Sequence, residues 1–471
     1  MARRITRRQM LGASAAALGY LYLAPAFSAA RVYGANDKLR VAGIGIGGKG
    51  SSDIDQAGNL MDVVALVDVD ADNLGSKAKK WPTAKTFTDF RKLFDDSALM
   101  KTVDAVTVST PDHNHAVASV LAMRAGKHVY CQKPLTHDVY EAHLMRAEAA
   151  KNKVCTQMGN QGTAANGLRR AVELVQKGVL GDVADVHVWT NRPVWPQAPG
   201  ITKRPPKAEV PKGLDWDSWL GVAPTRPYSG PSDKIKGGPY HDFKWRGFWD
   251  FGTGAIGDMA CHTANMAFMG LKLGHPTWVS GEAGDLNDET CPSYARVLIK
   301  FPKREGLVPV TLHWYEGKQD GKKVLPPEAL VEQATALSGA KLVDSGSILV
   351  GSKGIAYSPD DYGANVFFST GEKTGGGTKP ETLPVNNKGD QGQKDEWVAA
   401  IKANKPELAL ANFGYGGLLT AAFLLGNVAI RTGKAFNFDG EKCAADIKEA
   451  APLIRREYRK GWDLIGYNAT A

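Results

Sequence analysis

Val41-Ala42-Gly43-Ile44-Gly45-Ile46-Gly47-Gly48-Lys49-Gly50 is an apolar run ending in closely spaced glycines. The pattern Gly45-x-Gly47-x-x-Gly50 commits the chain to a strand, a tight turn and a helix in immediate succession. The first glycine permits the turn, the second lets the backbone approach a pyrophosphate, and the third lets helix meet strand. The helix N-terminus then faces the phosphates. An acid stands at Asp68, after the second predicted strand and 23 residues beyond Gly45. It is placed to accept from a ribose 2′-hydroxyl, which favours NAD, with NADP the alternative. Asp70 and Asp72 add negative charge nearby and oppose a 2′-phosphate.

Strand-like and helix-like stretches alternate around this loop. Lys38–Ile44, Asp62–Val67, Asp104–Ser109, Lys127–Cys131 and Lys153–Thr156 read as strands, with helices at His115–Ala125 and Asp138–Ala150. Such alternation means a parallel sheet covered on both faces, so residues 31–155 are expected to form a Rossmann domain. Residues 156–471 read as a second α/β domain. It has a helix at Asn166–Lys177, strands at Val183–Thr190, Tyr294–Phe301 and Leu307–Trp314, and late helices at Lys394–Ala403 and Gly416–Arg431. The late helices are expected to pack back toward the first domain. An aromatic, proline-rich excursion runs from Arg192 to Arg246, and Gly371–Lys379 reads as a surface loop.

The N-terminus carries Thr6-Arg7-Arg8-Gln9-Met10-Leu11, an apolar run to about Leu23, and small residues through Ala30. That combination predicts a twin-arginine signal over residues 1–30, with the twin-arginine export machinery as a partner and a periplasmic or otherwise exported location. The apolar stretch is too short to span a bilayer. Of the net charge of +9, four arginines in residues 1–30 account for +4, leaving about +5. No basic tract is interleaved with aromatics, so a nucleic-acid partner is not expected. The five cysteines include no CxxC pair, which argues against a disulfide framework or a thiolate metal site.

Strand ends of a doubly wound sheet border the ligand crevice. One such end is followed by Thr110-Pro111-Asp112-His113-Asn114-His115, where Pro111 shapes the turn and a polar group caps the next helix. His113 and His115 have no third metal ligand close in sequence, and no metal is expected. A second end is Tyr130-Cys131-Gln132-Lys133-Pro134, which points a lysine into the same crevice. A lysine there can hydrogen-bond a reacting hydroxyl and lower its pKa. Farther on, Asp258 and His262 are four apart and share one helix face. They read either as a proton-transfer group with the lysine, or as a capping acid and a buried structural histidine.

The ordered set Gly45-x-Gly47-x-x-Gly50, Thr110-Pro111-Asp112-x-x-His115, Lys133-Pro134 and Gly254-x-x-x-Asp258-x-x-x-His262 resembles the Gfo/Idh/MocA oxidoreductases. The resemblance implies a Rossmann domain followed by an α/β domain with a large open, mostly antiparallel sheet, through which dimers or tetramers form. It implies that Lys133, Asp258 and His262 are catalytic, with His262 exchanging the proton of a sugar hydroxyl. Gly45, Gly47, Gly50, Asp68, Thr110, Pro111, His115, Gln132 and Lys133 are the cofactor-binding candidates. One departure stands out: the glutamate that the family pattern has before Lys-Pro is Gln132 here.

The substrate implied is a carbohydrate. Trp195, Trp216, Trp219, Tyr228, Tyr240 and Trp245 of the excursion offer flat faces for pyranose rings, although each can equally be core packing. Trp195, His241, Trp245, His313 and Tyr315 are the substrate-binding candidates. Free nicotinamide dinucleotide is scarce outside the cytoplasm, so an exported enzyme is expected to keep its cofactor tightly bound. Three readings follow: a sugar oxidoreductase; a redox-neutral glycosidase using His241 or Tyr240 as an extra base; and a non-catalytic sugar- or dinucleotide-binding protein.

Overall fold

The computed structural model describes residues 38–231, 238–241 and 243–468, so the predicted signal segment lies outside the described residues. Six parallel strands form the first sheet: β1 Arg40–Ile44, β2 Asp62–Val67, β3 Lys85–Phe87, β4 Ala105–Val108, β5 His128–Cys131 and β6 Thr156–Met158. Their order, β3-β2-β1-β4-β5-β6, reverses direction between β1 and β4. The crevice beside that switch point is where such sheets bind dinucleotides. Helices on both faces explain why β1 and β4 are apolar along nearly their whole length.

Two helices frame the crevice: α1 Gly48–Gly58 leaves the glycine loop, and α2 Ala71–Lys80 follows β2. The strand β3 lies outside the predicted set because its three residues, Lys85-Thr86-Phe87, are mostly exposed and carry no apolar run. The last strand begins at Thr156, three residues later than predicted, because Lys153 takes a left-handed conformation (φ 53°) to end the helix α3, Val139–Asn152.

The second sheet has eleven strands among the described residues and is antiparallel except between β7 (Val183–Trp189) and β10 (Val310–Gln319). It also contains β8 Trp278–Gly284, β9 Tyr294–Phe301, the two-residue β11 (Lys322–Lys323) on β10, β12 Gly346–Gly351, β13 Gly354–Ser358, β14 Val366–Phe368, β15 Lys373–Thr374, β16 Phe436–Asp439 and β17 Ala444–Ala445. The stretch read as a surface loop, Gly371–Lys379, thus supplies an edge strand, and Thr374 is buried there.

Helices α4 Asn166–Gln176, α5 Gly254–Thr263, α6 Gly389–Ala403 and α7 Phe413–Thr432 complete the part that matters for the site. The last is apolar on nearly every face because it is buried between α3, α5 and strands β8 and β9. Residues Leu312 and Trp314 of β10 face this main core, whereas Tyr315 points to the opposite side of the sheet, into a separate cluster with Trp189, Ile348 and Tyr357. Alternation along a strand requires that division.

Candidate active site

A cleft with about 1150 Å³ of open space lies at the C-terminal ends of β1, β2, β4 and β5. Its floor includes Gly45, Gly47, Gly48, Asp68, Thr110 and Lys133; Trp219, His241, Trp245 and Arg246 of the excursion supply a wall. The glycine loop has the shape that a dinucleotide needs. Gly45 adopts φ +73°, and a Cβ at Gly50 would overlap the Gly45 carbonyl oxygen, so the loop and helix can approach only as glycines. Gly47 caps α1 without any side-chain hydrogen bond, which leaves the helix N-terminus open to a phosphate. These features fit an NAD pyrophosphate.

Asp68, the acid expected to read the ribose, is already engaged by backbone amides. One oxygen of Asp68 accepts from the amides of Ile46 (2.8 Å) and Gly47 (2.9 Å), and the other accepts from Asp70 N at 3.0 Å. Asp68 therefore shapes the glycine loop as well as lining the cleft, and burial pushes its carboxyl up despite those bonds. Asp70, expected to act as loose negative charge, caps α2 through Asp72 N and pairs with His241 at 2.7 Å.

His115 lines the cleft and also braces the backbone around it. Its Nδ1 lies 2.8 Å from the Pro134 carbonyl and its Nε2 2.8 Å from the Thr110 carbonyl, and the single N–H of the neutral ring donates to one of the two. The ring braces two crevice-lining turns against each other. The buried, neutral His113 ring has one N–H, which Nδ1 can direct to the Phe251 carbonyl (3.3 Å) while Nε2 accepts from Asn114 Nδ2 (3.0 Å); Asn114 Nδ2 also donates to the Trp219 carbonyl (3.1 Å), tying the first domain to the excursion. Thr110 and Pro111 line the cleft.

Lys133, Asp258 and His262 come together. Lys133 Nζ donates to Asp258 Oδ1 at 2.8 Å and to its carbonyl oxygen at 3.0 Å. An ammonium has three donors, so one remains for a substrate hydroxyl. Sequence reading missed Arg246, which donates from Nε to the same Asp258 oxygen at 3.1 Å. No motif announces it, because it arrives from a short turn twelve residues upstream. Burial pushes the Asp258 carboxyl up, but Lys133 and Arg246 outweigh it and hold it below the usual carboxylate range.

His262 is buried, its Nδ1 has no hydrogen-bond partner among the described residues, and its ring meets Tyr362 edge-on at 5.2 Å. Burial, reinforced by the Lys133 charge, keeps its pKa well below the ordinary histidine value. A neutral imidazole is the form that can take a proton from a hydroxyl. Asp112, also unassigned from sequence, accepts from Thr253 Oγ1 at 2.9 Å, and burial raises its pKa to about 7.

The substrate candidates separate. Trp245 lines the cleft under the Arg246 guanidinium, 4.3 Å from the ring centroid. His241 lines it too, but at the Asp68–Asp70 end. Trp195 is packing: it is buried, bonds Gln197 at 2.7 Å and meets Phe243 edge-on. His313 and Tyr315 lie outside the cleft because they occupy the far face of the large sheet, where His313 stacks on His187 at 4.3 Å and Tyr315 bonds His187 at 2.9 Å. Trp216, Trp219, Tyr240 and Phe251 form a small aromatic core. Tyr240, offered as an extra base for elimination, is fully buried there, with its hydroxyl near Arg226 and Ser229.

Fold and cleft define a two-domain protein whose N-terminal domain is a Rossmann dinucleotide-binding domain. Residues 39–160 match the model of the oxidoreductase family's NAD-binding Rossmann fold, and residues 164–308 match that family's C-terminal α/β domain. The chain belongs to the Gfo/Idh/MocA oxidoreductase family. Among curated relatives, inositol 2-dehydrogenase 3 of Saccharopolyspora erythraea is 31% identical over 163 residues, 34% of this chain and 47% of that protein. An inositol 2-dehydrogenase of Gluconacetobacter diazotrophicus is 29% identical over 153 residues, 32% of this chain and 44% of that protein. The chain thus spans about half the length of the curated relatives it matches. Among solved structures, an Azotobacter vinelandii inositol dehydrogenase homolog in complex with NADH and myo-inositol superposes with a TM-score of 0.58 at 14% identity, covering 86% of this chain and 98% of the other. The aldose-aldose oxidoreductase of Caulobacter crescentus, complexed with glycerol, gives 0.54 at 16% identity over 85% and 100%.

Proposed function

We propose that this protein is an exported NAD-dependent oxidoreductase that moves a hydride between a tightly held nicotinamide cofactor and a hydroxyl or ketone of a sugar or polyol. The observation that carries the reading is the Lys133–Asp258 pair at 2.8 Å beside a buried, neutral His262. Bound NAD supplies the hydride acceptor. Lys133, with one donor uncommitted, orients the reacting hydroxyl; His262 takes its proton; Asp258 keeps the ammonium in place and is itself held by Arg246. The inositol and aldose enzymes among its relatives and structural neighbours support a polyhydroxylated substrate. The twin-arginine run supports export. Retention of the cofactor is supported by the excursion, whose Leu214 bridges Asp70 and whose Asp215 N bonds the Val69 carbonyl at 2.9 Å over the cofactor cleft. Assembly as a homodimer or homotetramer belongs to the same proposal and rests on the family resemblance.

The test uses protein purified without added cofactor and mixed with free sugars, polyols and aryl glycosides. Reduced-nicotinamide absorbance and aglycone release are followed together. A stoichiometric rise in reduced cofactor, reversed by a keto-sugar and without aglycone release, is expected. Aglycone release with little net change in cofactor would replace this reading with the glycosidase.

A further inference from the structure

Asp53, in the second turn of α1, is completely buried, and four side-chain donors converge on its carboxylate. Lys49 Nζ and Lys394 Nζ each approach Oδ1 at 2.6 Å; Ser109 Oγ and Gln132 Nε2 approach Oδ2 at 2.9 and 2.8 Å. Lys394 comes from α6, has no exposed side chain, and sets its ammonium 4.0 Å from the Tyr130 ring centroid. Lys49 also meets Asp390 at 3.3 Å and lines the cofactor cleft. Gln132 uses its other end as well, its Oε1 accepting from Lys133 N at 3.2 Å. A continuous chain of bonds therefore runs from a C-terminal helix through Asp53 and Gln132 to the backbone of Lys133.

The charges in this corner balance, with two lysines facing Asp53 and Asp390. Burial pushes the Asp53 carboxyl up, but Lys394 and Lys49 outweigh it and hold it ionised below the usual range. A glutamate at 132, the family's residue, would remove the Nε2 donor and set a second carboxylate against Asp53. Buried like charges at hydrogen-bond distance cannot both ionise.

We infer that Asp53 carries the buried negative charge that the family pattern places at position 132, and that Gln132 is its matched neutral positioning residue, transmitting that anchorage to Lys133. Whichever substrate is oxidised, a glutamate at position 132 should damage this protein, and moving the charge from position 53 to position 132 should repair it.

The test is a cycle of wild type, Gln132→Glu, Asp53→Asn and the double variant. NADH dissociation constants are read from fluorescence at several pH values, alongside thermal melts. Gln132→Glu is expected to weaken NADH binding about tenfold or more at pH 8. Its affinity should recover as pH falls toward about 5, because the two carboxyls then share a proton; the wild type should show no such recovery. In the double variant the amide introduced on α1 can donate to the carboxylate introduced after β5, so it should bind within about threefold of wild type. A Gln132→Glu protein with wild-type affinity and a flat pH response overturns the inference, as does a double variant no better than Gln132→Glu. If Gln132→Glu fails to fold, a folded double variant supports the inference and an unfolded one overturns it.

Discussion

His241 Nε2 lies 2.7 Å from Asp70 Oδ2, joining the excursion of the second domain to the residue that caps the helix after β2. The contact stands at the end of the cleft that Asp68 and Asn73 line, and backbone bonds from Asp215 to Val69 and from Ala71 to Gly213 (3.0 Å) reinforce it. A segment that sequence reading offered as a sugar platform thus supplies a wall of the cleft beside the glycine loop.

His241→Ala should speed NADH release. Both partners are about one-fifth exposed, so the pair contributes about 1 kcal/mol after screening, which corresponds to roughly a fivefold faster off-rate. Asp70→Asn should have a similar effect while keeping the cap, since asparagine caps helices as well as aspartate. Stopped-flow displacement of NADH checks this; unchanged off-rates in both variants would mean that the wall does not hold the cofactor. A wild type releasing NADH within seconds would count against retention while leaving the contribution of the pair measurable.

Lys133→Met and His262→Ala should abolish hydride transfer. NADH affinity should stay within about threefold for His262→Ala, whose side chain lies beyond the residues lining the cleft. Single-turnover absorbance and fluorescence titration separate the two effects, and wild-type turnover in both variants would remove the catalytic assignment.

The pH profile should lack an acid limb at the ordinary histidine value of 6.5. Burial and the Lys133 charge depress the His262 pKa, so the proton-accepting neutral form persists below that pH. A bell-shaped profile whose lower limb falls at or above 6.5 would contradict this. The check is the single-turnover rate against pH.

Asp112 makes a stability prediction of opposite sign. Its folded pKa, about 7, is raised from 3.8 by burial, so the native state binds the extra proton across that window. The stability it contributes is fully present below the lower value and is lost as pH rises through the upper one. The loss is of the order of 4 kcal/mol at most. Asp112→Asn keeps an acceptor for Thr253 and has no proton to lose. It should melt a few degrees higher than wild type above about pH 8, with the difference shrinking toward pH 4. Thermal melts across that range test it.

Asp68→Ala should do more than relax discrimination against NADP. Two glycine-loop amides lose their acceptor, so affinity for NAD and NADP alike should fall about tenfold or more. A variant that binds NAD normally and gains NADP would show that Asp68 only reads the ribose.

Local pattern was enough for four of the six strands of the first sheet. The glycine spacing, the strand runs and the helix at His115 follow from periodicity and from the conformations that only glycine allows, so β1, β2, β4 and β5 fall within two residues of where the sequence puts them. The lysine at the end of β5 and the i, i+4 pair Asp258–His262 were legible for the same reason, since a strand end and a helix face are local facts. What tertiary structure decided is which side of the large sheet a residue faces and which distant charge meets which. His313 and Tyr315 point away from the cleft because alternation fixes relative faces but not which face meets α5. Arg246 reaches Asp258 only once its short turn folds back over α5, and Lys394 reaches Asp53 across 341 residues only once two domains are packed together. Electrostatic partners depend on three-dimensional proximity, for which a single sequence carries no local signal.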